Sequence, residues 1–231
     1  GILWSAFGTS GQRCTAASRV VVHQKVHKEL TERLVARVGG MRLGNGLDQT
    51  TDIGPVVSDR QLNSINEYVQ IGRAEGATLA AGGSIVREGE LAQGFFHQPT
   101  VFSDVRAGMR IAQEEIFGPV TALIPVSSFD EAIEVVNGVR YGLSASIFTQ
   151  DINQAFKAMQ DIYTGILYIN AGTTGAEIHL PFGGTKATGN GHREAGTVAL
   201  DVFTEWQSIY VDFSGKLQRA QIDPVESGKV S

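Results

Sequence analysis

Apolar residues recur at two spacings along this chain, and each spacing predicts its own kind of element. From Val26 to Val38 they fall at Val26, Leu30, Leu34 and Val38, with charges between, until Gly39-Gly40 ends the run. An i, i+4 stripe of this kind predicts an amphipathic helix. Ser58 stands three residues before Gln61, the spacing of a capping box, ahead of Leu62, Ile65 and Val69 on one face. Ser128 and Glu131 repeat that spacing before Ala132, Ile133, Val135 and Val136, and Asp151 and Gln154 before Ile152, Ala155, Phe156 and Met159. Three more helices are expected there. Short β-branched or continuous apolar runs predict strands at Arg19–His23, Ala77–Ala81, Thr100–Phe102, Ser144–Phe148 and Gly165–Ile169. Phe95-Phe96 is also strand-like, and Pro99 favours an edge position for its neighbour. Ile2 to Phe7 makes one or two helical turns, broken by Gly8 and Gly11. Strands alternating with helices predict an α/β fold, a parallel sheet with covering helices.

The intervening stretches are loops of different kinds. Met41 to Val57 is rich in Gly, Asn and Asp, and Arg87 to Gly94 is polar and exposed in expectation. Gly172 to Gly196 holds seven of the 28 glycines without an apolar period. A long ordered loop is expected, because such loops in compact domains tend to be functional. Val198 to Phe203 is ambiguous, Ser208 to Phe213 reads as a strand, and the residues from Ser214 are polar and loose in expectation.

Charge and composition exclude several classes. A net charge of -5 offers no basic surface for nucleic acid and no polybasic run for a membrane surface. No apolar run reaches the roughly 20 residues of a membrane helix. One cysteine rules out a disulfide scaffold and fits a reducing compartment, so a cytoplasmic location is expected. The first residues do not read as a signal peptide, and the interior of a longer chain is expected there.

Candidate chemistry narrows quickly. His23 and His27 stand four apart, but Gln24 occupies the place where a zinc-protease motif needs Glu, so no metal site is assigned. Gly189-Asn190-Gly191-His192-Arg193-Glu194 starts like a dinucleotide fingerprint but ends in Glu, with no strand leading into it. There is no Gly-x-Ser-x-Gly and no Walker loop. What remains is Cys14, on a loop with Gly11, Gln12, Arg13 and Thr15. Glycine permits close backbone approach to a ligand, and a neighbouring Arg favours thiolate. From the residues alone Cys14 stays open between a small core hydrophobe and a reactive thiol.

Four segments, taken in order, resemble one family. Phe7-Gly8-Thr9-Ser10-Gly11-Gln12-Arg13-Cys14-Thr15-Ala16 is similar to the catalytic cysteine motif of the NAD(P)-dependent aldehyde dehydrogenases. Gln113-Glu114-Glu115-Ile116-Phe117-Gly118-Pro119-Val120 resembles their cofactor-clasping motif. Tyr141-Gly142-Leu143-Ser144-Ala145-Ser146-Ile147-Phe148-Thr149 resembles a third segment, and the run from Pro181-Phe182-Gly183-Gly184 to Gly196 a fourth. The likeness extends from Gly1 to about Phe213.

The resemblance implies a catalytic thiol domain over 1–200 and an oligomerisation strand and tail over 201–231. It implies Cys14 as the nucleophile that forms a thiohemiacetal and then a thioester, with its own backbone N–H as an oxyanion donor. Glu115 would accept from the nicotinamide ribose hydroxyls and Phe117 would pack near the nicotinamide of NAD or NADP. Read bare, the glutamates are a solvated helix end and Phe117 a core aromatic. Arg13 suggests a carboxylated semialdehyde as the aldehyde substrate, and Asn170 lies where the family often keeps Asn near the active site. The C-terminal strand implies a homo-oligomer. The Rossmann-like cofactor domain, the general-base Glu and the oxyanion-hole Asn of the family are expected before Gly1. The competing reading is a non-catalytic relative kept for subunit association. A thiol acyltransferase would need a His base near Cys14, and none is close in sequence.

Overall fold

The computed structural model describes residues 1–215. The chain divides into a unit Gly1–Ala199 and a short second unit that begins at Leu200.

The first unit is built on a four-stranded sheet of order β1-β4-β3-β2, made by β1 (Arg19–His23), β2 (Thr78–Ala81), β3 (Thr100–Ser103) and β4 (Val120–Val126). β1 and β3 run parallel to β4, and β2 is antiparallel to β3. The expected parallel sheet is therefore mostly parallel. Side chains alternate across it as the two-residue period of a strand requires. Phe102, Ala122 and Ile124 join the cluster of Leu62, Ile65 and Val69 from helix α3 (Asp59–Ala74). Val101 and Leu123 point the other way, to Phe7 of α1 (Ile2–Phe7) and Leu34 and Val38 of α2 (Gln24–Gly39). Two cores on two faces of one sheet make a three-layer α/β sandwich.

Two expectations fail here. β3 is interior, not an edge, and all four of its residues are buried. Pro99 precedes the strand and removes no ladder donor; the first strand N–H, of Thr100, donates to the Pro119 carbonyl at 2.8 Å. Phe95-Phe96 lies outside any strand. The apolar periodicity also assigns nothing between 103 and 127, yet β4 there is the centre of the sheet. Its Pro125 looks disqualifying. The Ala122 N–H donates to Ser18 on the β1 side, so odd positions aim at β3, whose pairing stops at Phe102 opposite Ala122. Pro125 sits where no partner waits, and the missing donor costs nothing.

After α4 (Arg110–Gln113) and α5 (Phe129–Asn137) the chain forms smaller ladders. β5 (Tyr141–Gly142) pairs antiparallel with β8 (Thr185–Lys186), and β6 (Ser144–Ile147) pairs parallel with β7 (Ile166–Ile169) across α6 (Ile152–Asp161). The capping serines act as expected: Ser58 accepts the Gln61 N–H at 3.2 Å, and Ser128 the Glu131 N–H at 3.1 Å. The return halves differ. Glu131 accepts the Ser127 N–H at 2.7 Å and its hydroxyl at 2.6 Å, and Asp151 caps the Asn153 N–H at 2.8 Å. His23 is itself the N-cap of α2, its Nδ1 accepting the Lys25 N–H at 3.1 Å.

In the second unit α7 (Leu200–Phe203) is followed by residues 204–215 without helix or strand. The expected strand Ser208–Phe213 does not form among the described residues, because a strand exists only against a neighbour. Its large side chains are exposed, Tyr210 at 94% and Phe213 at 95%. Residues 216–231 of the expected tail lie outside the described residues.

Candidate active site

Cys14 stands on a β-turn. The Ala16 N–H donates to the Arg13 carbonyl at 2.9 Å, which places Cys14 and Thr15 at the two central positions. Ahead of the turn the chain is forced into an unusual path: Thr9, Ser10 and Gly11 all take left-handed backbone, with φ of 57°, 57° and 65°. Ser10 Oγ donates to the Gly54 carbonyl at 2.8 Å, and Gln12 Oε1 accepts the Val57 N–H at 3.0 Å. These bonds tie the loop to the Gly54-Pro55 stretch and thrust the thiol outward. Cys14 is exposed. Its backbone N–H is engaged by none of the described residues. A core role is excluded, and an open N–H beside an open thiol is what an attacking sulfur with an adjacent oxyanion donor needs.

The second motif is pressed against the first. A Cβ on Gly11 would stand 2.1 Å from the Gly118 carbonyl oxygen, so only two glycine-grade backbones pass this closely. Gly118 in turn lies on Ile65 of α3, where a Cβ would meet the isoleucine at 2.3 Å. Phe117, just before it, holds left-handed backbone at φ 55°. Gln61 fixes it there, its Nε2 donating to the Ile116 and Phe117 carbonyls at 3.0 Å each. Nothing in the local sequence announces that role, because Gln61 also fits a capping box. The Phe117 ring is 37% exposed, so it is not a core aromatic.

The two glutamates separate cleanly. Glu114 receives a two-pronged bond from Arg110 at 2.8 and 2.9 Å and the Tyr68 hydroxyl at 2.8 Å. Those donors hold its carboxyl down to about 2, the Arg110 hydrogen bonds contributing most. Glu115 is exposed and without an ion-pair partner among the described residues.

Gly11, Arg13, Cys14, Glu115, Phe117 and Thr173 all border one broad, open crevice of about 1240 Å³, whose walls also take in residues of β1, α2, α5 and β6. Thus four of the five expected site residues face one space. Asn170 does not. It ends β7 in left-handed backbone at φ 55°, its Oδ1 accepting the Thr149 N–H at 2.8 Å and its Nδ2 donating to the Thr149 carbonyl at 2.9 Å. That amide splints β6 to β7.

The Gly-rich loop is ordered, and fastened at its start and again at β8. Thr173 near its start donates to the Thr15 carbonyl at 2.6 Å. Lys186 of β8 donates to the carbonyls of Asn137 and Val139 at 2.7 and 3.1 Å, where α5 finishes. Arg19, the first residue of β1, donates to Val135 and Val136 of the same helix end at 3.1 and 3.2 Å, and Gln113 to Gly138 at 3.2 Å. Cations at a helix C-terminus meet its negative pole and its unpaired carbonyls together. Burial pulls Arg19 below its usual pKa, and burial with the Arg19 charge does the same to Lys186. Residues from two of the four motif segments, Gln113 and Lys186, thus meet Arg19 at one helix end.

Fold and site together define an α/β domain that presents a turn-borne thiol and an acidic–aromatic pair to a shared crevice. The chain belongs to the aldehyde dehydrogenase family, whose model matches residues 1–209. It is 48% identical over 206 residues to an α-ketoglutarate semialdehyde dehydrogenase of Haloferax volcanii, covering 88% of this chain and 42% of that protein. Against the α-ketoglutaric semialdehyde dehydrogenase of Bacillus subtilis it is 40% identical over 210 residues, 91% of this chain and 43% of the other. The crystal structure of a Staphylococcus aureus betaine aldehyde dehydrogenase in complex with NAD+ superposes with a TM-score of 0.85 at 36% identity, over 87% of this chain and 40% of that one. The chain therefore spans about two fifths of the length of each. The fold expectation stands: this α/β architecture is that of the family.

Proposed function

We propose that the protein carrying this sequence oxidises a carboxylated semialdehyde to the acid, with NAD or NADP as electron acceptor, and that this chain supplies the attacking thiol. The observation that carries the reading is the turn at Cys14. It holds an exposed sulfur and an open backbone N–H side by side, in one crevice with Glu115 and Phe117.

In this reading the Cys14 thiolate adds to the aldehyde carbon, forming a C–S bond and an oxyanion that the Cys14 N–H receives. Cys14 carries the substrate first as a thiohemiacetal and, after oxidation, as a thioester, from which water releases the acid and returns the thiol. A bound nicotinamide dinucleotide supplies the acceptor for the carbon-bound hydrogen. The residues fit such a group: the unpaired Glu115 carboxylate suits sugar hydroxyls, and the Phe117 ring offers a flat apolar wall. Arg13, exposed in the same crevice with no carboxylate partner among the described residues, suits the acid group of a semialdehyde. The names of the Haloferax volcanii and Bacillus subtilis relatives support that substrate class. Asn170 serves by holding Thr149 through its amide. The exposed Ser208–Phe213 segment supports a homo-oligomer.

The test follows the ultraviolet absorbance of the reduced dinucleotide with a charged semialdehyde and an uncharged aliphatic aldehyde. Cys14→Ser is expected to abolish turnover of both. Arg13→Ala should lower kcat/KM about 10- to 100-fold for the semialdehyde alone, the loss of one charge-assisted contact. Activity surviving Cys14→Ser defeats the thiol assignment; equal losses on both aldehydes defeat the substrate assignment.

A further inference from the structure

The nucleophile turn is closed by Ala16 on one side only, and what steadies its other side comes from far away in sequence. The peptide between Thr15 and Ala16 is gripped twice: its N–H goes to the Arg13 carbonyl, and its carbonyl oxygen accepts the Thr173 hydroxyl at 2.6 Å. The next N–H, of Ala17, donates to the Ser5 carbonyl at 2.9 Å. Ser5 then closes the circuit, because its Oγ accepts the Thr173 N–H at 3.1 Å. Thr15 and Ser5 are both buried, at 7% and 2% exposure. Thr173 itself is half-buried on the crevice wall, so its hydroxyl is a fixed donor that water would replace only with loss of that fixed geometry, and a carbonyl that loses it favours local opening. Gly172 is part of the fit, since a Cβ there would meet Ser5 Oγ at 2.5 Å.

We propose that Thr173 is a positioning residue for Cys14, fixing the turn through its hydroxyl so that the thiol and the Cys14 N–H keep one mutual orientation. The consequence for turnover rests on the reaction proposed above; the positioning itself does not. The Gly-rich loop thereby has a task near its start, while Lys186 anchors it further along at the end of α5.

Cys14 is the one thiol in the 231 residues, so its reactivity reads the turn directly and without cofactor. The experiment measures the rate of modification by the disulfide reagent DTNB from about pH 6 to about pH 10, a range that spans an ordinary thiol. Wild type is compared with Thr173→Val, which keeps the shape and loses the donor, and Thr173→Ser, which keeps the donor. Thr173→Val is expected to react at least threefold faster, with a displaced pH midpoint, because the turn opens; Thr173→Ser should retain the wild-type profile. A Thr173→Val profile equal to wild type overturns the proposal. So does Thr173→Ser behaving like Thr173→Val, which would make the methyl group the working part. Should Thr173→Val not fold, Ser5→Ala takes its place, with faster modification expected and an unchanged profile overturning the proposal. If DTNB kinetics behave as expected while no aldehyde is oxidised, positioning stands and the functional reading falls.

Discussion

At the scale of single residues, Glu114 and Glu115 are neighbours with opposite assignments, and sequence alone does not separate them. Resemblance marks Glu115, but what frees it is that Arg110 and Tyr68 take Glu114, partners 4 and 46 positions away. Gln61, Ser5 and Thr173 escape a sequence reading for the same reason, because their roles exist only as contacts across the fold. Cys14, Arg13 and Phe117 were legible through their motifs and not through composition. The split between the glutamates is measurable. Glu115→Gln should weaken dinucleotide binding about tenfold, read by fluorescence titration, and leave thermal stability alone. Glu114→Gln should do the reverse. Because Glu114 is held near 2, below its ordinary value of 4.5, its contribution to stability is complete above about pH 4.5 and is lost as pH falls towards 2. The Tm gap between wild type and Glu114→Gln should therefore close on acidification. The gap should be modest, as both partners of the Arg110 pair are more than a third exposed and screened by solvent. A gap that widened towards acid pH would contradict the assignment.

At the scale of elements, caps and helical stripes were legible because they are local. Ser58, Ser128 and Asp151 each accept a first-turn N–H, and α2, α3, α5 and α6 lie where their stripes place them. β4 was not, because a proline inside a central strand is acceptable only if its missing donor faces an unpaired side, which depends on where β3 stops. The junction of the cysteine loop with the cofactor motif is a further product of long-range packing. There Gly11 is needed twice, for its left-handed φ of 65° and for its approach to the Gly118 carbonyl. Gly11→Ala should cost about 1–2 kcal/mol from the backbone conformation alone, with the steric conflict added to it. Gly39→Ala is the control, since a Cβ there meets nothing within 4 Å and the position is helical. Urea unfolding of the two variants should show a lowered midpoint only for Gly11→Ala. Equal midpoints would mean that the loop yields without penalty and that the two motifs are not rigidly joined.

At the scale of the molecule, the chain carries far more apolar surface than its two cores require. The stripe that predicts α6 turns only Ala155 and Ala158 inward; Ile152, Phe156 and Met159 are 65%, 63% and 51% exposed. In the second unit Trp206, Ile209, Tyr210, Val211 and Phe213 are all at least 70% exposed. Amphipathic spacing predicted α6 correctly but could not say which side of it meets this chain's own core. Likewise the alternation over Ser208–Phe213 describes a strand whose partner the described residues do not include. Large apolar side chains exposed in such numbers mark interfaces in a stable protein and aggregation sites otherwise. A segment with strand-like sequence and no ladder partner has open N–H and C=O groups that favour pairing with a second chain. Self-association through this segment is therefore expected, and Ile209→Lys with Val211→Lys tests it by placing two charges on its apolar side chains. Sedimentation velocity should find wild type as a dimer or larger at micromolar concentration and the double variant shifted towards monomer, with an unchanged circular dichroism spectrum. If the double variant sediments like wild type, the exposed face of α6 holds the contact, and Phe156→Lys should then dissociate it where the C-terminal charges did not.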